Sequence, residues 1–162
     1  MNLEDLQQKS DYKSKENQYN LIEKLNETCE ILNNQIHINC GGCCYVAYCI
    51  AELLERFNID FSLIIFDRDF NLNKVYDFLD VKRSMSHYAI ILGDSIEDDI
   101  INGDDLDYDL GYYQSFKVSS EEILEHYEIG YWNTIYNVDN NEFVQNTLEY
   151  IFYEFMENLY KK

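Results

Sequence analysis

Cys40-Gly-Gly-Cys43-Cys44 runs straight into apolar residues at helical spacing, and later in the chain Ser86-His87 leads the run Tyr-Ala-Ile-Ile-Leu92. A thiol is a nucleophile only as thiolate. A helix N-terminus lowers its pKa, because N–H groups and the helix dipole favour negative charge there. A neighbouring imidazolium lowers it further. Cys43 stands where the first effect acts, and His87 is the histidine placed to supply the second. Such a pair attacks acyl carbonyls through a covalent thioester. Gly41 and Gly42 would let the backbone approach a substrate carbonyl and leave room beside the sulfur. The Cys43 N–H would help form an oxyanion hole.

Hairpin geometry suggests a third member. If Gly93-Asp94 is a two-residue turn, Ile90 faces Glu97, Ala89 faces Asp98 and His87 faces Ile100. Side chains alternate along a strand, so His87, Ala89 and Ile91 share a face with Ile96, Asp98 and Ile100. Asp98 is then the diagonal neighbour of His87 and the natural group to orient its ring. A one-residue slip in the turn would bring up Asp99 or Glu97 instead.

The elements that must hold these residues follow from periodicity. Residues 1–17 read as a polar N-terminal arm or short helix, and 18–162 as a single domain. Leu21, Ile22, Leu25, Cys29 and Leu32 mark an amphipathic helix that ends at Asn33-Asn34. A second helix runs from about Cys43 to Phe57, with Val46, Ala47, Ile50, Leu53, Leu54 and Phe57 on its apolar face. Ile59–Phe66 is a buried strand, and a short helix is expected over Val75–Leu79. His87–Leu92, Ser95–Ile101 and Tyr112–Val118 supply three more strands. Ser119 or Ser120 caps a short helix with Glu121 and Glu122 in its first turn. Asn140 caps a last helix to about Tyr160, with Phe143, Val144, Leu148, Ile151, Phe152 and Phe155 inward. Helices, then strands, then helices give an α+β domain with a mostly antiparallel sheet, a nucleophile-bearing helix packed on it, and flanking N- and C-terminal helices.

Composition limits the partners. The 162 residues suffice for one core and carry a net charge of −19. That surface repels nucleic acid and anionic lipid, and favours cationic substrates or amine acceptors. No run has the length of a membrane span, so a soluble, cytoplasmic protein without direct nucleic-acid or membrane binding is expected. Five cysteines, an odd number with three crowded into residues 40–44, read as reduced thiols. Cys44 and Cys49 are expected in the core. His37 and His126 lack partners in the sequence, and His126 is placed on a solvated helix face. Trp132-Asn133 is read as core packing or a shield over the site. The aspartates between 104 and 109 lack calcium-loop spacing and read as a solvated loop. A metal set of His37, Cys40, Cys43 and Cys44 would demand two adjacent cysteines on one tetrahedral ion, so no metal or cofactor is expected. A Cys40–Cys43 redox pair of the thioredoxin kind would need a proline that this chain lacks.

Gly42-Cys43-Cys44-Tyr-Val-Ala47, Leu53-Leu54 and Asn58-Ile59 together resemble the core of transglutaminase-like proteins. There a cysteine opens a helix, an alanine follows four residues on, and a Gly-Ile pair leads from the helix to a strand. Cys43, Ala47 and Ile59 match, while Asn58 replaces the glycine. The family's histidine begins the next core strand and an aspartate lies on the one after, the order of His87 and Asp98. Cys40-Gly-Gly-Cys43 is also similar to the cysteine segment of papain-type peptidases, whose second cysteine is the nucleophile. Here Cys44 stands where those peptidases carry an aromatic, and Gln35 is the candidate oxyanion-hole glutamine. The resemblance covers roughly residues 40–100. It implies a papain-like fold and a hydrolase or acyltransferase acting on a protein, peptide or other acyl substrate through Cys43, His87 and Asp98. The alternative is an acidic interaction protein or inhibitor, a nucleic-acid mimic or an inactive scaffold, binding a basic partner.

Overall fold

Hydrophobic patterning in this chain resolves into four helices and an antiparallel sheet, as a computed structural model describes over residues 15–71, 73–81, 86–103, 112–130 and 134–159. In chain order these are α1 (Lys15–Ile36), α2 (Cys43–Arg56), β1 (Ser62–Phe66), β2 (His87–Ile91), β3 (Ile100–Ile101), β4 (Tyr113–Phe116), α3 (Ser120–Ile129) and α4 (Asn141–Leu159). The sheet order is β3-β2-β1-β4, with every neighbouring pair antiparallel. The class is α+β. Among the described residues, no helix is long and apolar enough to cross a membrane.

Helix α2 sits at the centre. Cys43 through Ala47, Cys49 through Ala51, Leu53 and Leu54 are all buried. Only the stripe of Tyr48, Glu52, Glu55 and Arg56 is left less than buried, and a helix so largely apolar belongs inside, where its other faces meet other elements. Here those elements are α3, α4 and β2. The helix ends in a Schellman motif, with Asn58 N–H donating to Glu55 O (3.1 Å) and Ile59 N–H to Leu54 O (2.9 Å). Asn58 is left-handed (φ 57°), so it fills the role of the expected glycine. Asparagine pays the smallest steric penalty there after glycine.

The sheet has two apolar faces. Leu63, Ile65, Tyr88, Ile90, Ile101 and Phe116 join the helical core. Ile64, Phe66, Ala89, Ile91 and Ile100 form a second small cluster behind them. Ser119 caps α3 in a capping box with Glu122, as its sequence suggests.

Residues 1–14 lie outside those described, and Lys15–Asn17 begin α1. Several expectations are corrected. A 3-10 turn at Phe78–Asp80 replaces the helix expected over Val75–Leu79, and both of those ends are exposed. Asn140 ends a 3-10 turn (Val138–Asn140) that runs directly into α4 at Asn141. The buried line of α4 is Val144, Leu148, Phe152 and Met156, whereas Phe143 is exposed. The strand expected over Ser95–Ile101 shrinks to Ile100–Ile101, for a reason given below.

His126 is also corrected. It is buried, its Nε2 lies 2.6 Å from the Tyr88 hydroxyl, and the Phe78 ring packs on it at 4.7 Å. An acidic helix still has an inward face, and position 126 falls on it with Ile123 and Tyr127. Removing one partner of a buried polar pair costs about 1–3 kcal/mol. Tyr88→Phe should therefore lower unfolding free energy by about that much in urea titrations. In a double-mutant cycle with His126→Phe the two losses should couple by about 1 kcal/mol or more. Simple additivity would remove the bond from the account.

Candidate functional site

Cys43 is delivered by a tight approach. Left-handed His37 (φ 57°) ends α1, and a wide turn over Ile38–Gly42 leads into α2. Gly41 has φ 110°, and a Cβ on it would lie 1.8 Å from Thr134 Cγ2. A Cβ on Gly42 would lie 2.8 Å from the Tyr136 ring, and Tyr136 N–H donates to Cys40 O at 3.3 Å. The glycines thus admit the chain's own residues 134–136. The space read from sequence as room for a substrate on these glycines is filled.

The Cys43 sulfur lies 3.8 Å from the Ser86 carbonyl oxygen and within reach of Tyr88 N–H and the His87 imidazole. Strand register explains this. Strand β3 pairs with β2 only at Ile90 and Ile91. Residues 86 and 88 turn their backbone groups toward the same edge, nearer the start of the strand. There Cys43, at the tip of α2, occupies the place a longer β3 would take.

His87 faces Phe66 across the sheet, with ring centroids 6.1 Å apart. Its Nε2 lies 2.6 Å from Asn102 O. A carbonyl only accepts, so Nε2–H donates and Nδ1 is the nitrogen that serves the sulfur. Burial pushes the Cys43 thiol up, since Cys43 is only 2% exposed. The His87 imidazole and the N–H groups of Tyr88 and Cys44 outweigh that and leave the thiol below its ordinary value. Two other buried thiols go the opposite way. Burial pushes Cys29 up to about 12 and raises Cys49 as well. Cys40 is exposed.

Asp98 does not meet His87. It is exposed and bonds locally, accepting from Ser95 Oγ and donating its N–H back to that oxygen, both at 3.3 Å. Asp99 explains why. Its carboxylate accepts Ser95 N–H at 3.0 Å and its carbonyl accepts Leu92 N–H at 3.1 Å. A Cβ on Gly93 would stand 2.2 Å from that carboxylate. The turn therefore spans residues between Leu92 and Asp99, and Ile90 pairs with Ile101 rather than Glu97. This four-residue shift moves the diagonal neighbour of His87 from position 98 to 102.

Sequence reasoning missed two further groups. Asn102, 6% exposed with φ 60°, supplies the carbonyl to His87. Asp67, 7% exposed, accepts Ser86 Oγ at 2.7 Å and Asp69 N–H at 2.9 Å. Asp67 lies opposite Ser86 because Phe66 pairs with His87, and a long connection hides that register from sequence. Gln35 is exposed in the last turn of α1. Trp132-Asn133 and the aspartates between 104 and 109 lie outside the described residues. Among the described residues, no three His, Cys, Asp or Glu side chains converge as a metal set.

Comparison of the chain with protein-family models, curated proteins and solved structures finds no match in any of the three.

The two neighbouring aspartates separate in their effects. Asp98→Ala should leave the Cys43 alkylation rate within about twofold of wild type, because Asp98 touches neither ring nor sulfur. Asp99→Ala should cost about 1–2 kcal/mol in chemical unfolding, through the turn bonds it loses. A rate collapse in Asp98→Ala would restore that residue to the site.

Proposed function

We propose that this chain is a thiol-dependent hydrolase or acyltransferase of the papain-like, transglutaminase-like kind. The observation that carries the reading is the contact of Cys43 with His87 at the junction of α2 and β2, with the thiol held below its ordinary value. The Asn102 carbonyl replaces the expected Asp98 carboxylate behind His87.

In this reading Sγ of Cys43 bonds to the carbonyl carbon of an amide, ester or thioester while its proton passes to Nδ1 of His87. The carbonyl electron pair moves to oxygen. Its return breaks the bond to the leaving amine, alcohol or thiol, which takes the proton from His87. Water or an amine then attacks the thioester. His87 accepts that nucleophile's proton and returns it to sulfur, leaving an acid or a new amide. A field set by a net charge of −19 favours cationic substrates or amine acceptors.

A second reading rests on the 2% exposure of Cys43. A carbonyl carbon reaches that sulfur only if neighbouring groups move. A chain that keeps the pair closed would act as an acidic scaffold that binds a basic partner.

Intact-mass spectrometry with p-nitrophenyl acetate separates the two. The enzyme reading predicts an acetyl group on Cys43, a burst of nitrophenolate and slow turnover. Turnover should fall about a thousandfold or more in Cys43→Ala. Acetylation confined to Cys40, or unchanged turnover in Cys43→Ala, would reject it in favour of the scaffold.

A further inference from the structure

We infer that Asn26, in the middle of α1 and remote in sequence from both Cys43 and His87, is the positioning residue of the pair, acting through the backbone of Asn102. The inference rests on the reading of Cys43 and His87 as a working pair.

Asn26 uses both ends of its amide on the edge of β3. Its Oδ1 accepts Asn102 N–H at 2.7 Å and its Nδ2 donates to Ile100 O at 2.9 Å. It thus stands in for the next strand, satisfying two backbone groups of an edge. The consequence reaches His87 through one dihedral. In an extended residue the N–H and C=O point to the same side, so Asn102 O would follow its N–H out to Asn26. At φ 60° the two groups point apart. The N–H stays on Asn26 while the carbonyl turns inward to His87 Nε2, 2.6 Å away. The side chain of Asn102 is tied separately, its Nδ2 donating to Asn39 Oδ1 at 3.1 Å. Asn39 N–H in turn donates to Asn33 Oδ1 at 2.9 Å. A left-handed asparagine is a strained choice, and such residues persist where surrounding bonds over-determine them.

Without Asn26, Asn102 can relax toward an extended conformation and take its carbonyl away. His87 then loses the acceptor that fixes its tautomer. A ring with both tautomers populated carries its proton on Nδ1 for part of the time and cannot then take the proton from sulfur there. The imidazolium also loses the acceptor on Nε2–H that stabilises it, so the thiolate–imidazolium pair is less populated. Helix α1 therefore sets the reactivity of the Cys43 thiol through the backbone of Asn102 and the ring of His87.

The test uses the full chain with three variants, Asn26→Leu, Asn26→Asp and His87→Ala. Two readouts apply: the 15N shifts of the His87 ring, and alkylation of Cys43 by iodoacetamide at pH 6 read by peptide mass spectrometry. Wherever its ring is neutral, the wild type should show the Nε2–H tautomer alone. Asn26→Leu should show mixed tautomers and alkylate about tenfold more slowly, since reactivity follows the thiolate fraction. Asn26→Asp keeps an acceptor for Asn102 N–H and should retain the single tautomer. If Asn26→Leu does not fold, Asn26→Ser, too short to reach Asn102, carries the same expectation. A folded Asn26→Leu protein with the wild-type tautomer and rate, while His87→Ala slows alkylation, overturns the role of Asn26. If His87→Ala leaves the rate unchanged, the reading of the pair fails instead, and the ring tautomer still decides whether Asn26 positions His87.

Discussion

Helix α2 must be buried on nearly every side, and that requirement places everything near it. Apart from the stripe of Tyr48, Glu52, Glu55 and Arg56 its side chains are apolar and buried, so it packs against α3, α4 and β2 together. Once it is seated, its first residue has one place to go. Gly41 and Gly42 let the turn before it lie against Thr134 and Tyr136, which presses Cys43 to the start of β2. The sulfur then meets Ser86 O, Tyr88 N–H and the His87 ring together. Core packing and site assembly are therefore one event, and shortening or loosening α2 would disturb both.

The electrostatics of the pair suit an acidic protein. A carboxylate behind His87 would favour the imidazolium, but it would add negative charge beside a sulfur that must itself become negative. The Asn102 carbonyl is neutral. It fixes the ring through one hydrogen bond without adding to a net charge of −19. The His87 imidazole then holds the thiol down, and the N–H groups of Tyr88 and Cys44 add to it beside the sulfur, where distant surface charges are screened. Cys29 and Cys49 share the burial: burial alone drives Cys29 upward, and for Cys49 burial together with the Glu52 charge outweighs a hydrogen bond with Tyr45.

Much of this was legible in the residues and part was not. The start of α2 at Cys43, the Ser119 cap and the antiparallel character of the sheet follow from local pattern, and local pattern is what a short window of sequence contains. Asn58 at the helix end is equally local once its left-handed tolerance is considered. The hairpin failed because Gly93-Asp94 mimics a two-residue turn while Asp99, six residues on from Gly93, closes a longer one with its side chain. Every cross-strand assignment after that inherits the shift, so the argument that chose Asp98 chooses Asn102 in the true register. Even then the sequence hides the essential atom, because a backbone carbonyl carries no residue signature. Asn26 is hidden for a different reason. It contacts Asn102 across 76 positions of chain, which no periodicity reports. His126 was misread because the charges of its helix describe the outer face alone.

The central claim is that His87 makes the Cys43 thiol acidic despite its burial. The measurement is the alkylation rate of Cys43 against pH from 5 to 10, residue-resolved, in the wild type and in His87→Ala. The account predicts a wild-type midpoint below the free-thiol value of about 8.5, with Cys29 unreactive across the range. His87→Ala should move that midpoint upward past the free value, as burial then acts with less opposition. A wild-type midpoint at or above the free value, or one unmoved by removing His87, would contradict it.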